Sequence, residues 1–249
     1  MGKTYDYIMG KFNNREKMLF SLIDPLDYPS VDKAVETAKN ADEAGADIIL
    51  VGGSLGVQGE LLDSVAKRIK ESIHVPLVLF PGNIATVTRY ADAIYFMSLL
   101  NSRNPYWITR AQMMAVPVVK KMGMETLSTA YIVVEPGGTV GWVGDVDIIP
   151  RAKPKIAAAF AMVAETFGFK FILTDTGSNP KDGHIPLEFI SAVKKTISIP
   201  YIVAGGIRTP EQAKAVIKAG ADIIQVGTAF EGDGKREKIK QFVDAVKKK

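Results

Sequence analysis

Apolar and polar positions alternate in blocks along this chain. Short β-branched or apolar runs fall at residues 18–24, 47–51, 77–80, 93–97, 130–134, 171–174, 201–204 and 223–226, each the length of a strand. Amphipathic stretches of helical period separate most of them. Ser30 is placed to cap a helix over Val31–Ala44 that stops at Gly45. Thr209-Pro210 opens another that stops at Gly220, with proline at the first helical position, where its missing N–H is not needed. Eight runs alternating with helices predict a parallel sheet, and their nearly continuous apolar character predicts that both faces are covered.

A repeat argues for closure of that sheet. "AGADIILVG" at 44–52 returns as "AGADIIQVG" at 219–227 with one change, each time after a strand and a helix. The expected fold is α/β: one (β/α)8 TIM barrel over residues 1–249, with residues 1–16 as an N-terminal extension or helix packed on it. Only "PGNIATVTRY" separates the third run from Ala91 near the fourth, so helix 3 is expected to be stunted or replaced by irregular chain.

Composition narrows the chemistry. The chain has no cysteine, which excludes disulfides and thiolate metal sites, and only two histidines, which argues against a histidine metal centre. Net charge is +4, with much of the excess in "GKREKIK" and the final lysines, a pattern expected of a solvated terminal helix rather than a nucleic-acid surface. No apolar run approaches the roughly 18 residues of a membrane span, and the N-terminus lacks a signal-peptide core. A cytoplasmic protein with no transmembrane segment and no nucleic-acid partner is therefore expected.

Barrel chemistry sits at the C-terminal strand ends. Those ends carry Asp24, Gly52-Gly53-Ser54, Pro81-Gly82-Asn83, residues 98–101, residues 135–138, Asp175 with Gly177-Ser178, Gly205-Gly206 and Gly227-Thr228. His74 falls before the third strand, on the opposite rim, where a structural role is expected. Glycine pairs leave a space beside the backbone that a ligand can fill. They also permit tight turns, but two pairs on neighbouring strands, with a helix start beyond, favour a phosphate held by main-chain N–H groups. Asp24, in "LIDP", has three readings: general base, Mg2+ ligand, or cap of the loop before Pro25. Ser54, on the neighbouring strand end, is placed to add a hydroxyl.

The segments "LIDP", "VGGS", "LFPGN", "ADAIYFMSLLNSRNPYWI", "YIVVEPGGTVGWVG", "AGGIRTPEQA" and "VGT" follow in this order from residue 22 to residue 228. Together they closely resemble geranylgeranylglyceryl phosphate synthases, the archaeal-type prenylglyceryl phosphate synthases. The resemblance implies a Mg2+-dependent prenyltransferase that joins geranylgeranyl diphosphate, or a similar prenyl diphosphate, to the C3 hydroxyl of sn-glycerol 1-phosphate. That reaction forms the first ether bond of archaeal-type membrane lipids and releases diphosphate. Carried onto this chain, the resemblance assigns Mg2+ to Asp24 and Ser54. It assigns glycerol phosphate to Leu173, Thr174, Asp175, Thr176, Gly177, Ser178, Asn179, Gly205, Gly206, Gly227 and Thr228. Asp175 and Asp24 are the catalytic candidates. Tyr95, Met97, Leu99, Leu100 and Tyr131 are candidates to line a groove for the prenyl tail or, equally, to pack the barrel.

One block departs from the family pattern. Where the family reads Tyr-Leu-Glu-Ala-Gly-Ser-Gly, this chain reads "LTDTGSN" at 173–179. Leu173 removes a hydroxyl, and Asp175 is one methylene shorter than glutamate. Thr174 restores a hydroxyl but, by strand alternation, points to the opposite face. Gln225, inside strand 8, is a further departure. These changes leave open a related prenyltransferase with another phosphorylated acceptor, or a non-catalytic phosphate-binding paralogue. The resemblance also implies a homo-oligomer, dimer or hexamer, with Trp107 and Trp142 as interface or core candidates.

Overall fold

The computed structural model describes residues 2–53, 55–232 and 234–248. Eight parallel strands close into a barrel in chain order. They are β1 (Met18–Ile23), β2 (Ile48–Gly52), β3 (Leu77–Phe80), β4 (Ala93–Leu99), β5 (Glu125–Val133), β6 (Phe171–Asp175), β7 (Tyr201–Ala204) and β8 (Ile223–Val226). This is the expected TIM barrel. The one sizeable difference is β5, which begins at Glu125 rather than at residue 130. Its polar start hides it from a hydrophobicity pattern, yet it pairs with β4 from Ala93↔Glu125 to Leu99↔Tyr131.

The helices are α1 (Lys3–Asn13), α2 (Val31–Ala44), α3 (Gly59–Lys70), α4 (Ala111–Lys121), α5 (Gly138–Val143), α6 (Pro154–Thr166), α7 (Leu187–Lys194), α8 (Pro210–Ala219), α9 (Thr228–Glu231) and α10 (Arg236–Lys247). Ser30 accepts the N–H of Lys33, and Gly45 ends α2 in the left-handed region. Thr209 and Gln212 form a reciprocal capping box at α8. Residues 81–92, between β3 and β4, contain no helix, as the short spacing predicts. That segment is pinned instead to neighbouring chain, Thr86 donating to Val57 O at 3.2 Å and Thr88 to Asp63 at 2.5 Å.

Strand alternation sorts the core into two shells. Phe20, Leu50, Val78, Tyr95, Leu127 and Leu173 belong to the cluster that fills the barrel interior. Leu19, Ile49, Leu79, Ile132, Ile172 and Val203 belong to the outer cluster beneath the helices. Helix α1 closes the N-terminal end: Glu125, at the start of β5, accepts the N–H groups of Thr4 and Tyr5 at 2.9 and 2.8 Å. Tyr5 also meets Phe171 edge-on, and Ile8 joins the interior cluster.

The sequence repeat has a structural meaning at the same end. Asp47, just before β2, accepts the N–H of Leu19 on β1, and Asp222, just before β8, accepts that of Tyr201 on β7. Asp92 does the same for Leu77 on β3. Lysines neutralise these buried carboxylates, Lys247 and Lys11 at Asp47 and Lys17 and Lys194 at Asp222. The C-terminal helix is thereby fastened to the barrel. With the bottom sealed, the open end of the barrel is the C-terminal one.

Candidate active site

A cavity occupies that open end and continues sideways through the wall. Its polar half is built on β1, β6, β7 and β8, and its apolar half on β3, β4 and α4. Asp175 ends β6 and is almost fully buried, at 7% exposure, yet lines the cavity. Both its oxygens are engaged: Oδ1 accepts the N–H of Gly177 at 2.7 Å, and Oδ2 accepts the hydroxyl of Tyr131 at 2.8 Å. Burial raises its pKa, while the Tyr131 and Gly177 hydrogen bonds oppose that rise.

Gly205, Gly206, Gly227 and Thr228 lie together on the cavity wall. Among the described residues, no protein acceptor takes the N–H of Gly206, Gly227 or Thr228. The space beside the first glycine pair, however, is filled by the chain itself rather than awaiting a ligand. Gly205 has φ +82°, and a Cβ there would overlap Thr176 Oγ1 and lie 2.7 Å from Asp175 Oδ1. A Cβ at Gly206 would lie 2.6 Å from Gly183 O. Gly227 differs, because its Cβ would meet only Leu22 at ordinary contact distance, on the cavity wall. Arg208 adds a cation to this rim, its guanidinium held by Asn179 Oδ1 at 2.9 Å and Pro180 O at 2.5 Å.

Across the mouth stand Asp24, Asp27 and Glu231. Burial, then the charge of Asp27, pushes Asp24 up to about 6, against a hydrogen bond from Leu26. Burial, then Asp27, pushes Glu231 up to about 7, with a Thr228 hydrogen bond opposing. None of the three pairs with a lysine or arginine among the described residues. Gly53 keeps room beside Asp24, since a Cβ there would lie 2.8 Å from Oδ1. These oxygen donors suit a hard divalent cation. Among the described residues, three such side chains do not converge into a ready protein cage, so part of any coordination shell must come from elsewhere.

The apolar half follows from the missing helix. Ile84 and Val87 of the irregular segment, Ile94 and Phe96 from the outer face of β4, and Ala111 and Ala115 of α4 line a trench where a helix would otherwise lie. Phe80, Tyr95, Met97, Leu99, Tyr131 and Trp107 continue it into the barrel mouth. Gln112 braces this wall by donating to Met97 O and Trp107 O.

The candidates from sequence divide accordingly. Asp24, Asp175, Gly177, Ser178, Asn179, Gly205, Gly206, Gly227 and Thr228 line one cavity. Leu173 does not; it is fully buried in the interior layer beneath Asp175. Thr174 faces outward and bonds Tyr201 Oη at 2.8 Å, as alternation predicts. Thr176 is buried with no partner for its hydroxyl among the described residues, wedged against Gly205. Ser54 lies outside the described residues. Leu100 packs into the outer shell, not the trench. Trp107 lines the cavity and packs against the interior cluster, whereas Trp142 is 86% exposed. His74 sits at the sealed end on Asp42, and Glu135, Ser98 and Asn101 brace loops through Arg151, Ile108 and Asp147.

Asp27, Glu231 and Arg208 line the same cavity without belonging to the sequence-derived candidates. Asp27 follows Asp24 by one turn, and Glu231 lies on the short helix after the last strand, which are the signals that place them on the rim.

Comparison with known proteins agrees with this geometry. The PcrB family profile matches residues 13–246. The geranylgeranylglyceryl phosphate synthase of Thermococcus kodakarensis is 50% identical over 244 residues, 98% of this chain and 96% of that protein. That of Methanosphaera stadtmanae is 51% identical over 231 residues, 92% and 94% of the two chains. The crystal structure of (S)-3-O-geranylgeranylglyceryl phosphate synthase from Thermoplasma acidophilum, in complex with its substrate sn-glycerol-1-phosphate, superposes with a TM-score of 0.94 at 36% identity and covers all of both chains. Matched over essentially its full length by the family profile, by these relatives and by the barrel of the Thermoplasma structure, this chain belongs to the PcrB family and stands within it among the geranylgeranylglyceryl phosphate synthases.

Proposed function

We propose that this protein joins the C1 carbon of geranylgeranyl diphosphate to the C3 hydroxyl of sn-glycerol 1-phosphate. The C1–O bond to diphosphate breaks, a C1–O3 ether bond forms, and the hydroxyl proton leaves with a base. One observation carries the reading. A single cavity joins main-chain amides that no described residue pairs, with Arg208 beside them, to a buried carboxylate, a separate carboxylate group and an apolar trench lined from both faces of β4. Relatives at about half identity bear the name of this activity, and the Thermoplasma neighbour holds this acceptor.

In this reading Gly206, Gly227, Thr228 and Arg208 bind the acceptor phosphate. Asp175, fixed by Tyr131 and Gly177, orients the attacking hydroxyl and takes its proton. Asp24 would hold Mg2+, with Ser54 the second ligand that the family resemblance implies and with Asp27 and Glu231 adding negative potential. The ion, when bound, neutralises the departing diphosphate. The trench takes the isoprenoid, excluding water from the allylic carbon. Burial of the tail favours binding by about 25 cal/mol per Å2 of apolar surface.

We also read the chain as a homo-oligomer. Met114 and Val118 on α4, with Met122 just past its end, form an exposed stripe, and Val163 on α6, with Phe167 just past its end, forms another, over adjacent strands of the barrel. Among the described residues, no helix is long and apolar enough to cross a membrane.

The deciding assay supplies radiolabelled geranylgeranyl diphosphate, Mg2+ and either enantiomer of glycerol phosphate, then extracts lipid. Label in an acid-stable ether lipid with sn-glycerol 1-phosphate is expected. Absence of such product with either enantiomer overturns the assignment.

A further inference from the structure

The side chain of Gln225 makes no hydrogen bond within the described fold. It lies inside the barrel at 4% exposure and lines the cavity. Its Oε1 is buried with no partner, while its Nε2, which no described residue bonds, is not closed off from the cavity. Burying an amide oxygen without a donor destabilises a folded chain, so its presence calls for a reason outside the protein.

The register supplies one. Asp175 pairs with Ala204, and Ala204 with Gln225, so the three stand in one row across β6, β7 and β8. Adjacent strands lie about 4.8 Å apart, which sets Asp175 and Gln225 roughly 10 Å from each other with only a methyl group between. Gly205-Gly206 directly follow Ala204 at the end of β7, and Gly227-Thr228 follow Gln225 after Val226 at the end of β8. A ligand with its phosphate on those amides would lay its carbons over Ala204, with a carboxylate on one flank and a carboxamide on the other.

We infer that Gln225 is a specificity-determining residue of the acceptor site, where its amide hydrogen-bonds the secondary C2 hydroxyl of the glycerol phosphate while Asp175 faces the C3 hydroxyl. This rests on the acceptor reading above. A carboxamide both donates and accepts, as a hydroxyl does, so the two match without any change of charge. A site built this way rejects an acceptor that lacks the second hydroxyl, because the buried amide oxygen then stays without a donor.

The test compares sn-glycerol 1-phosphate with 3-hydroxypropyl phosphate, the same molecule without the C2 hydroxyl. Both are assayed with geranylgeranyl diphosphate and Mg2+, on wild type and on the near-isosteric Gln225→Met. Wild type is expected to prefer glycerol phosphate in kcat/KM by about tenfold, the size of one neutral hydrogen bond. Gln225→Met should lose about that factor on glycerol phosphate, change little on hydroxypropyl phosphate, and melt at a higher temperature. A preference unchanged in the variant, or an equal loss on both acceptors, overturns the inference. If the variant does not fold, the side-chain amide resonances of Gln225 in wild type decide. They should shift with sn-glycerol 1-phosphate and not with hydroxypropyl phosphate, and identical spectra overturn the proposal. Wild type that turns over both acceptors without preference sinks the role of Gln225 alone. Wild type that turns over neither sinks the acceptor reading and this inference with it.

Discussion

The hydroxyl of Tyr131 on β5 donates a 2.8 Å hydrogen bond to Oδ2 of Asp175 on β6. It fixes a carboxylate whose side chain is one methylene shorter than the glutamate that the family resemblance implies there, so the shorter reach is matched by a rigid placement. Removing the donor with Tyr131→Phe should lower kcat by about 10- to 100-fold. It should also destabilise the fold by about 1–3 kcal/mol. Because that bond lowers the pKa of Asp175, the acidic limb of the kcat profile should move to higher pH in the variant. A pH–rate comparison checks it, and an unmoved limb counts against Asp175 as the base.

The two glycine pairs should respond differently to a methyl group. Gly205→Ala places a Cβ against Thr176 and Asp175 at a positive φ, and should destabilise by several kcal/mol, about 2 or more. Gly227→Ala meets only Leu22 on the cavity wall. It should melt close to wild type while raising KM for glycerol phosphate by about tenfold or more. Thermal melts and acceptor titrations separate the two, and a Gly227→Ala enzyme with unchanged KM removes that residue from the phosphate site.

Asp24→Asn should fold and bind glycerol phosphate, yet lose turnover by at least about 100-fold. Calorimetric titration of Mg2+ in the presence of diphosphate should show the matching loss of heat.

Asp24 and Glu231 also set a stability signature. Their folded-state values, about 6 and about 7, lie above the ordinary 3.8 and 4.5. Holding these carboxyls costs nothing while they are protonated in both states. The destabilisation therefore accrues as pH rises from near 4 to past 7, and is complete above that. The melting temperature of wild type, taken relative to the Asp24→Asn/Glu231→Gln double variant, should fall across that window without metal. Mg2+ with diphosphate should restore it at pH 8 more than at pH 5. A pH-independent difference refutes the assignment.

Ala115 lies on α4, on the opposite side of the barrel from the glycine rim, and lines the trench. Ala115→Phe should shorten the usable tail, so that a shorter prenyl diphosphate becomes the better donor. Product chain lengths from mixed donors measure this.

The barrel was legible in the sequence because its strands are nearly all apolar and its helices carry strong end signals, such as Ser30 and Thr209. The start of β5 was not, because Glu125, Thr126, Ser128 and Thr129 read as loop until β4 supplies the pairing partner. At the site, rim residues on strand ends could be listed but not oriented. Alternation alone sent Thr174 outward. No local pattern shows that Tyr131 reaches Asp175, that Glu231 folds back toward Asp24, or that Trp107 turns inward. Those relations join residues far apart in the chain, and only closure of the barrel brings them together.

The stretch between β3 and β4 leaves a seam in the molecule. These strands pair at only two positions, against seven between β4 and β5, and no helix shields the join. On the proposed reading the lipid tail lies along that seam and serves as the absent buttress. Loading the isoprenoid and finishing the outer shell then become one event. The empty enzyme would exchange its amide hydrogens there first, and its heat resistance would track how much donor is at hand.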